Sequence, residues 1–396
     1  MIRRRFGRTN LQMSVFSCGG MRYQQKWQDI PLSEVTADNQ ANLEATIRRA
    51  VSVGVNHIET ARGYGSSERQ LGLVLPTFPR NEIIVQTKLG PVENSSDFRK
   101  CFLESLERLQ LDHVDLLSLH GINNDETYDW SVRPGGCLEV ARQLQAEGLA
   151  RHIGLATHGS PELIMRIVQT DAHGGFDYIN LHWYYIYQRN WPAVVEANRR
   201  DMGVFIISPS DKGGMLYAPS EKLQQLTAPL HPIVFNDLFC LSRTEVHTLS
   251  IGAARPTDFD RHLEALPLLD QEATLLPPII ARLEQTMRDT MGSDFPDKFL
   301  QGLPRWEDTP ANINIGIILW LLSLAKSYDM VEYGKMRYGL LGNGGHWFPG
   351  LNAEKLAEVD LAPVLQNSPL RDRVPAMLAE AHKLLWKAPV QRLSAS

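Results

Sequence analysis

Four side chains that follow three predicted strands form a set that can protonate a carbonyl oxygen. Glu59 and, in the loop behind it, Tyr64 follow the second strand, while Lys88 follows the third and His120 the fourth. A phenol has a pKa of about 10 in water, and a neighbouring ammonium lowers that pKa because it favours the phenolate. A carboxylate beside the lysine keeps it charged and in place, and a neutral imidazole can orient a carbonyl oxygen. The set predicts general-acid catalysis of carbonyl reduction, with a hydride supplied by a cofactor.

These residues are positioned by a repeated alternation of short apolar runs with amphipathic helical segments. The eight predicted strands lie near Val15–Ser17, Val55–Ile58, Ile83–Thr87, Val114–Leu119, His152–Ala156, Tyr178–Leu181, Val204–Ser208 and Val246–Ile251. Eight strands with intervening helices over about 250 residues are typical of an α/β fold of the (β/α)8 TIM-barrel type, in which polar residues at the carboxyl ends of the strands converge on one mouth. A doubly wound open sheet is the competing architecture, and it lacks support because no GxGxxG motif follows the first strand.

Two further regions flank this alternation. Ile2–Phe6 and Leu11–Val15 surround Gly-Arg-Thr-Asn, a pattern that predicts an N-terminal hairpin able to plug the bottom of the barrel. Beyond the last strand the alternation stops, and helices are predicted over Ile279–Met291, Ile313–Tyr328 and Val374–Trp386. We therefore expect two domains, a barrel over residues 1–268 and a helical C-terminal extension over residues 269–396.

Composition excludes several classes of protein. The chain has 396 residues, of which 43% are hydrophobic and 21% charged, as in an ordinary globular protein. A net charge of −5 gives no overall attraction to nucleic acid or to an anionic membrane. The basic start lacks an apolar stretch behind it, and the run Ile313–Ala325 is too short to span a bilayer. We expect a cytoplasmic protein with neither nucleic acid nor a membrane as a partner.

Metal and disulfide chemistry are not expected either. Cys18, Cys101, Cys137 and Cys240 lie far apart and form no CxxC pair, which argues against a zinc ribbon, an iron–sulfur cluster or a disulfide framework. The spacing of the histidines that follow the strands matches no metal-ligand pattern.

Three segments carry a family resemblance. The segment from Ile58 to Gly72, which reads IETARGYGSSERQLG, resembles the signature of the aldo-keto reductase superfamily around its catalytic tyrosine. The segment from Arg4 to Met21 resembles the N-terminus of that superfamily, and the segment from Gln145 to Gly154 is similar to the part that leads into its fifth strand. The resemblance covers about residues 1–265. It implies NAD(P)H-dependent reduction of aldehydes or ketones to alcohols, with a small carbonyl compound as the substrate.

The resemblance also implies roles for individual residues. Tyr64 would be the proton donor, Lys88 the partner that lowers its pKa, and His120 the residue that orients the substrate, while Glu59 stands where the family has an aspartate. The implied nicotinamide contacts are Gly20, Met21, Thr157 and Asn180, and the implied pyrophosphate contacts are Ser208, Pro209, Ser210 and Lys212. The adenosine end of the nucleotide would lie near Gly252, Ala254, Arg255, Asp258 and His262. The implied cofactor is NADP(H), with NAD(H) as the alternative.

The nucleotide-binding positions differ from the family pattern in several places. Asn180 stands where glutamine is usual. After the eighth strand, Asp258, Arg261 and His262 replace the usual Gln or Arg, Glu and Asn that hold adenine. Arg255 remains able to bind a 2′-phosphate.

The extension carries a resemblance of its own. The segment from Tyr328 to Tyr338 is similar to the tail of the reductase branch that has a ferredoxin-like C-terminal segment. The cysteines that ligate iron–sulfur clusters in that branch have no counterpart here, since none follows Cys240. We therefore expect a scaffold without a cluster, whose protein partner, if it has one, is unknown.

Several interpretations remain alternatives at this point. Glu59 is either a catalytic partner or a buried salt-bridge acid, and the aromatic run from His182 to Tyr187 either lines a substrate pocket or packs in the core. Trp347 and Phe348 are expected to pack in the interior, with a lid over the mouth as the alternative. For the whole chain, the alternative to an enzyme is a nucleotide-binding, redox-sensing or regulatory protein of reductase fold. A role as an electron-transfer partner is disfavoured by the missing cluster cysteines.

Overall fold

The structure is a computed structural model, and it describes residues 1–342 and 348–387. Its strands are β1 (Arg3–Arg5), β2 (Gln12–Ser14), β3 (Phe16–Gly19), β4 (His57–Glu59), β5 (Ile84–Leu89), β6 (Val114–His120), β7 (Ala150–Ala156), β8 (Tyr178–Leu181), β9 (Gly203–Ile206) and β10 (Thr248–Ile251). The last eight strands, β3 to β10, pair in parallel and close into a barrel in chain order, with β10 beside β3. The predicted (β/α)8 barrel is confirmed.

The predicted hairpin closes the amino-terminal end of this barrel. β1 and β2 pair antiparallel, and a single 3₁₀ turn over Gly7–Thr9 joins them. Phe6 and Met13 from the hairpin pack with Tyr178 and Phe205 of the barrel strands in one buried cluster. A side chain at Gly7, whose φ is +53°, would overlap the backbone of Gly203, so only glycine allows this close approach.

Helices alternate with the barrel strands as the sequence predicts. In chain order they are α1 (Ala37–Ser52), α2 (Ser67–Gly72), α3 (Ser95–Leu109), α4 (Asp125–Val132), α5 (Cys137–Ala146), α6 (Pro161–Val168), α7 (Trp191–Arg199), α8 (Glu221–Thr227), α9 (Pro232–Leu241) and α10 (Asp258–Leu263). The α3 helix buries Phe98, Phe102, Leu106 and Leu109, residues spaced three and four apart that lie on one helical face. Asn94 caps the start of this helix by accepting from Ser96 N.

The chain divides into two compact units. The first comprises Met1–Gly213 and Asn236–Asp270, and the second comprises Gly214–Phe235 together with the described residues from Gln271 onward. The prediction placed residues 214–235 in the barrel domain. In the structure they join the second unit, where Ser220 Oγ donates a 2.7 Å hydrogen bond to the backbone oxygen of Tyr328. The predicted domain boundary between residues 268 and 269 stays a prediction.

The second unit is helical. Besides α8 it contains α11 (Glu272–Met291), α12 (Phe295–Lys298), α13 (Ile315–Tyr328), α14 (Val331–Tyr338), α15 (Ala362–Leu365) and α16 (Val374–Leu385). The central helix α13 is buried on nearly every side, because α11, α14 and α16 all pack against it. Phe348 is buried and stacks on Trp320 at 6.2 Å, whereas Trp347 lies outside the described residues. In the described part of the chain, no helix has the length and apolarity needed to cross a membrane.

Candidate active site

The alternation of side chains along the barrel strands determines which residues reach the mouth. In a strand every second side chain faces the same way. In β5, Ile84 faces the barrel interior near the hairpin, so Gln86 and Lys88 also face the interior, each one layer closer to the mouth. β6 does the same with Leu116, Ser118 and His120. Gln86 Nε2 donates to Ser118 Oγ at 2.7 Å, which confirms that these two middle positions face each other. The uppermost layer of the interior therefore contains Lys88 and His120.

Lys88 is the centre of this layer. It is 1% exposed, and its ammonium contacts the carboxylate of Glu59, donates to the backbone oxygen of Thr60 at 2.9 Å and donates to the hydroxyl of Tyr64 at 3.2 Å. These three contacts match the three donors of an ammonium group. Glu59 is also buried and reaches the lysine despite its extra methylene relative to aspartate.

The pKa values in this group are set by burial as well as by charge. Burial lowers the pKa of Lys88 well below its usual range, and the adjacent carboxylate of Glu59 opposes this effect because it favours the ammonium form. Burial raises the pKa of the Tyr64 phenol above its usual value. This differs from the lowered pKa that the resemblance implies, because the prediction considered the ammonium but not the desolvation of the phenolate. Tyr64 is therefore fully protonated at neutral pH.

Two rings surround the phenol of Tyr64 at right angles. His120 lies with its ring 5.7 Å from the ring of Tyr64, at an interplanar angle of 86°. Trp27, in the loop that follows β3, lies 6.1 Å from the Tyr64 ring, also at 86°. The sequence prediction did not include Trp27. The signal for it was the presence of a large aromatic residue in the loop directly after the first barrel strand.

Strand β8, which follows β6 and β7 in the barrel order, contributes a buried amide at the same end of the barrel. Because Tyr178 faces the barrel interior, Asn180 two residues later does so too, nearer to the mouth. Asn180 is fully buried, and neither its Nδ2 nor its Oδ1 has a hydrogen-bond partner. Such an amide is costly to bury alone, and its donor and acceptor are complementary to a second amide. The carboxamide of a nicotinamide fits this requirement.

The other residues predicted to contact the nicotinamide already pack against, or hydrogen-bond to, neighbouring protein atoms. A side chain at Gly20 would lie 2.6 Å from the backbone oxygen of Glu59, so this turn packs directly on β4, and Met21 beside it is half-buried. The hydroxyl of Thr157 already donates to Ile122 O at 2.7 Å and accepts from Gly159 N at 3.0 Å. Thr157 therefore shapes the loop after β7 through its own hydrogen bonds.

The aromatic run after β8 mostly packs in the interior. Trp183 is 2% exposed and lies between Trp191, at 4.7 Å, and Phe239, at 5.0 Å. His182 is buried as well, with its Nε2 2.5 Å from Nδ1 of His158. Of the two interpretations offered for this run, core packing agrees better with the burial of these side chains.

The loop after β9 contains the residues predicted to hold the pyrophosphate. Ser208 has a φ of +52°, and its backbone oxygen accepts from Lys212 N at 3.0 Å. Ser210 Oγ lies 3.4 Å from Nε2 of His262, which is completely buried and has its Nδ1 2.6 Å from Asp237 Oδ2. His262 therefore supports this loop from beneath. No sequence pattern indicated the contribution of Asp237.

The loop after β10 is organised around a carboxylate. Asp258 Oδ2 accepts from the backbone nitrogen of Ala254 at 2.8 Å, and Oδ1 accepts from Arg255 Nε at 3.2 Å. Arg22, from the loop after β3, donates to Gly252 O at 2.7 Å and lies 3.8 Å from Asp258. The sequence prediction missed Arg22, since nothing in the sequence relates it to a loop 230 residues away.

The chain is similar to several curated oxidoreductases. It is 35% identical over 164 residues to L-galactose dehydrogenase of Arabidopsis thaliana, an alignment that covers 38% of this chain and 47% of the relative. It is 28% identical over 158 residues to D-threo-aldose 1-dehydrogenase of a Pseudomonas species, with 32% of this chain and 47% of the relative covered. The chain spans about half the length of these curated relatives.

Several solved structures have a similar fold. An aldo-keto reductase from Bacillus halodurans superposes with a TM-score of 0.59 at 20% identity, covering 71% of this chain and 96% of the other. The aldose reductase of Schistosoma japonicum does so with a TM-score of 0.53 at 16% identity, covering 70% and 91%. At these identities the likeness shows the fold. The model of the Aldo/keto reductase family matches residues 16–218, slightly more than half of the sequence, and the chain therefore belongs to the aldo/keto reductase family.

Proposed function

We propose that this chain reduces aldehyde or ketone carbonyls to alcohols with a reduced nicotinamide dinucleotide, and that Tyr64 donates the proton. The observation that carries the proposal is the hydrogen bond from Lys88 Nζ to the Tyr64 hydroxyl within the buried group that includes Glu59. Because the phenolic oxygen accepts from the lysine, its own hydrogen is available for a substrate oxygen. The family relationship makes an oxidoreductase the natural class.

The proton transfer follows from the charges in this group. Burial keeps the proton on Tyr64 until a stronger base is formed. When bound, a reduced nicotinamide would supply a hydride to the carbonyl carbon, and the carbonyl oxygen would then become that stronger base. Tyr64 gives its proton to that oxygen, and the adjacent ammonium of Lys88 stabilises the phenolate that remains.

Two other residues support this assignment by position. His120, beside the Tyr64 ring, lies where an imidazole can orient the carbonyl oxygen toward the phenol. Asn180, with both amide atoms unpartnered, would bind the nicotinamide carboxamide and so fix the reactive ring. Together they would hold the two reactants near one another, which is a large part of the rate enhancement in such reactions.

The decisive test replaces the proton donor. We expect Tyr64→Phe to lower kcat for reduction of a reactive aldehyde by at least about a hundredfold, because general-acid catalysis contributes factors of this size. Dinucleotide affinity, followed by nicotinamide fluorescence, should change little, since the ring is retained. Steady-state kinetics with NADH and NADPH measures the loss.

The matched control is Tyr178→Phe, which removes a phenolic hydroxyl from the barrel interior, where it lies 3.0 Å from Ser118 Oγ. This variant should keep the parental kcat. Equal turnover in Tyr64→Phe and the parent protein would overturn the proton-donor assignment. Dinucleotide binding without turnover in the parent protein would instead favour a redox-sensing or regulatory role.

A further inference from the structure

The loops after β9 and β10 are the place where the phosphate-bearing half of a dinucleotide would lie. These are the seventh and eighth strands of the barrel, and in (β/α)8 barrels the loops after these two strands frequently bind phosphate. β8, which carries Asn180, is the neighbour of β9, and β9 is the neighbour of β10. A dinucleotide with its nicotinamide at Asn180 would therefore have the loops after β9 and β10 available for its phosphate-bearing half.

The loop after β10 is held together by a carboxylate side chain, that of Asp258. The Asp258 carboxylate is 8% exposed and accepts hydrogen bonds from Ala254 N and Arg255 Nε. A second guanidinium, that of Arg22, lies 3.8 Å from the same carboxylate. One backbone donor and two arginines are thus directed at Asp258, and these are the groups that would otherwise bind a phosphate monoester.

A 2′-phosphate and a 2′-hydroxyl interact with such a carboxylate in opposite ways. The phosphate brings about two negative charges and is repelled by the carboxylate of Asp258, which already accepts from Ala254 N and Arg255 Nε. The hydroxyl of an unphosphorylated ribose can instead donate a hydrogen bond to a carboxylate, as acidic residues do for NAD in dinucleotide-binding sheets. We infer that Asp258 selects against the 2′-phosphate, so that this chain binds NAD(H) in preference to NADP(H).

This inference rests on the proposed function and reverses the preference for NADP(H) that the sequence resemblance implies. That preference relied on Arg255, whose Nε is bound to Asp258 in the structure. Asp258, one of the residues at which this chain departs from the family pattern, is thus the one that determines the choice of cofactor.

The test is an equilibrium titration of the full chain with NADH and with NADPH, followed by nicotinamide fluorescence. We expect a dissociation constant at least about tenfold lower for NADH. Competition with AMP and with adenosine 2′,5′-bisphosphate should show the same order, because these probes report on the adenosine end alone. In Asp258→Asn, which keeps the side-chain shape but removes the charge, NADPH affinity should rise about tenfold while NADH affinity stays within about threefold.

The matched control is Asp260→Asn, two residues away, which removes an exposed carboxylate that is paired with Arg49. It should leave both affinities unchanged. Tighter binding of NADPH than of NADH by the parent protein would overturn this inference and leave the proposed function standing. Unchanged NADPH affinity in Asp258→Asn would also overturn it, and failure of the parent protein to bind either dinucleotide would overturn both proposals.

Discussion

The charge of Lys88 depends on two opposing effects. Its removal from water disfavours the charge, and the contact with Glu59 restores it. The ammonium in turn affects groups below it in the barrel. It helps to lower the pKa of His57 to about 3, together with the burial of that ring. A single buried charge therefore influences both the proposed proton donor above it and the neutral polar network beneath it.

The role of Glu59 can be tested through this balance. In Glu59→Gln the pKa of Lys88 should fall further, because burial is no longer opposed by a carboxylate. Lys88 would then lose its charge at a lower pH, so the alkaline limb of the kcat profile should move to lower pH, and kcat at pH 7 should fall about tenfold or more. Kinetics between pH 5 and 10 measures both changes.

Glu147→Gln is the control, since Glu147 is an exposed carboxylate paired with Arg99 and lies outside the site. It should leave the profile in place. A profile for Glu59→Gln identical to that of the parent would show that Glu59 is only a structural acid.

The sequence predicted part of the geometry of the candidate site, whereas the roles of its residues stay predictions. Glu59, Tyr64, Lys88 and His120 were identified because each follows a predicted strand, and the barrel topology brings such positions together. The direction of the Tyr64 pKa was wrong, because the degree of burial depends on neighbours such as Trp27 that local patterns do not reveal. The positions of the four residues along the barrel were therefore predictable, whereas the burial that sets their pKa values was not.

At the scale of elements, the loop that carries Tyr64 depends on one glycine. Gly65 has a φ of +54°, and a Cβ there would overlap the backbone oxygen of Lys26 in the loop that bears Trp27. Two loops from different strands thus approach each other directly beside the phenol. The proposed proton donor is held by this backbone contact as well as by its bond to Lys88.

The variant Gly65→Ala should therefore reduce activity as well as stability. The strained φ alone costs roughly 1–3 kcal/mol, and the overlap must push the Lys26 segment away from Tyr64. We expect kcat/KM to fall by about tenfold or more and the melting temperature to drop. Gly63→Ala, two residues earlier, places its methyl in open space and is the control, with parental kinetics and stability. Parental kcat/KM in Gly65→Ala would contradict the role of this contact.

Element boundaries were predicted well where periodicity determines them. β8 has the predicted bounds, and α16 begins at the predicted Val374. α11 begins at Glu272 and continues through Pro277 and Pro278, although the prediction began the helix only after them. The membership of Gly214–Phe235 in the second unit was not predictable either, because a local pattern indicates the element and not the partner against which it packs.

At the scale of the whole molecule, buried histidines make the fold sensitive to acid. Burial holds the pKa of His57 at about 3 and, together with nearby arginines, that of His247 at about 4. In the unfolded chain both would take up protons near pH 6.5. Their contribution to stability is therefore complete above about pH 6.5 and is lost as the pH falls toward the folded values.

We expect the urea midpoint of the barrel unit to decrease steadily from pH 7 to pH 4. The decrease should reflect a loss on the order of a few kcal/mol, since each pKa unit corresponds to about 1.4 kcal/mol. His57→Asn should be less stable at pH 7, because Ser17 loses its 2.7 Å partner, but it should show a shallower pH dependence. Equal slopes for the two proteins would contradict this account.

All three hydrogens of the Lys88 ammonium are engaged, and this has one further consequence if the substrate is an aldehyde, as proposed. A primary amine with a depressed pKa beside a reactive carbonyl is prone to condense with it into a Schiff base, which would inactivate the enzyme by its own substrate. Here the nitrogen is sealed beneath the mouth, and Glu59, Thr60 and Tyr64 engage its three hydrogens. The arrangement that tunes the phenol thereby also protects the amine from covalent capture.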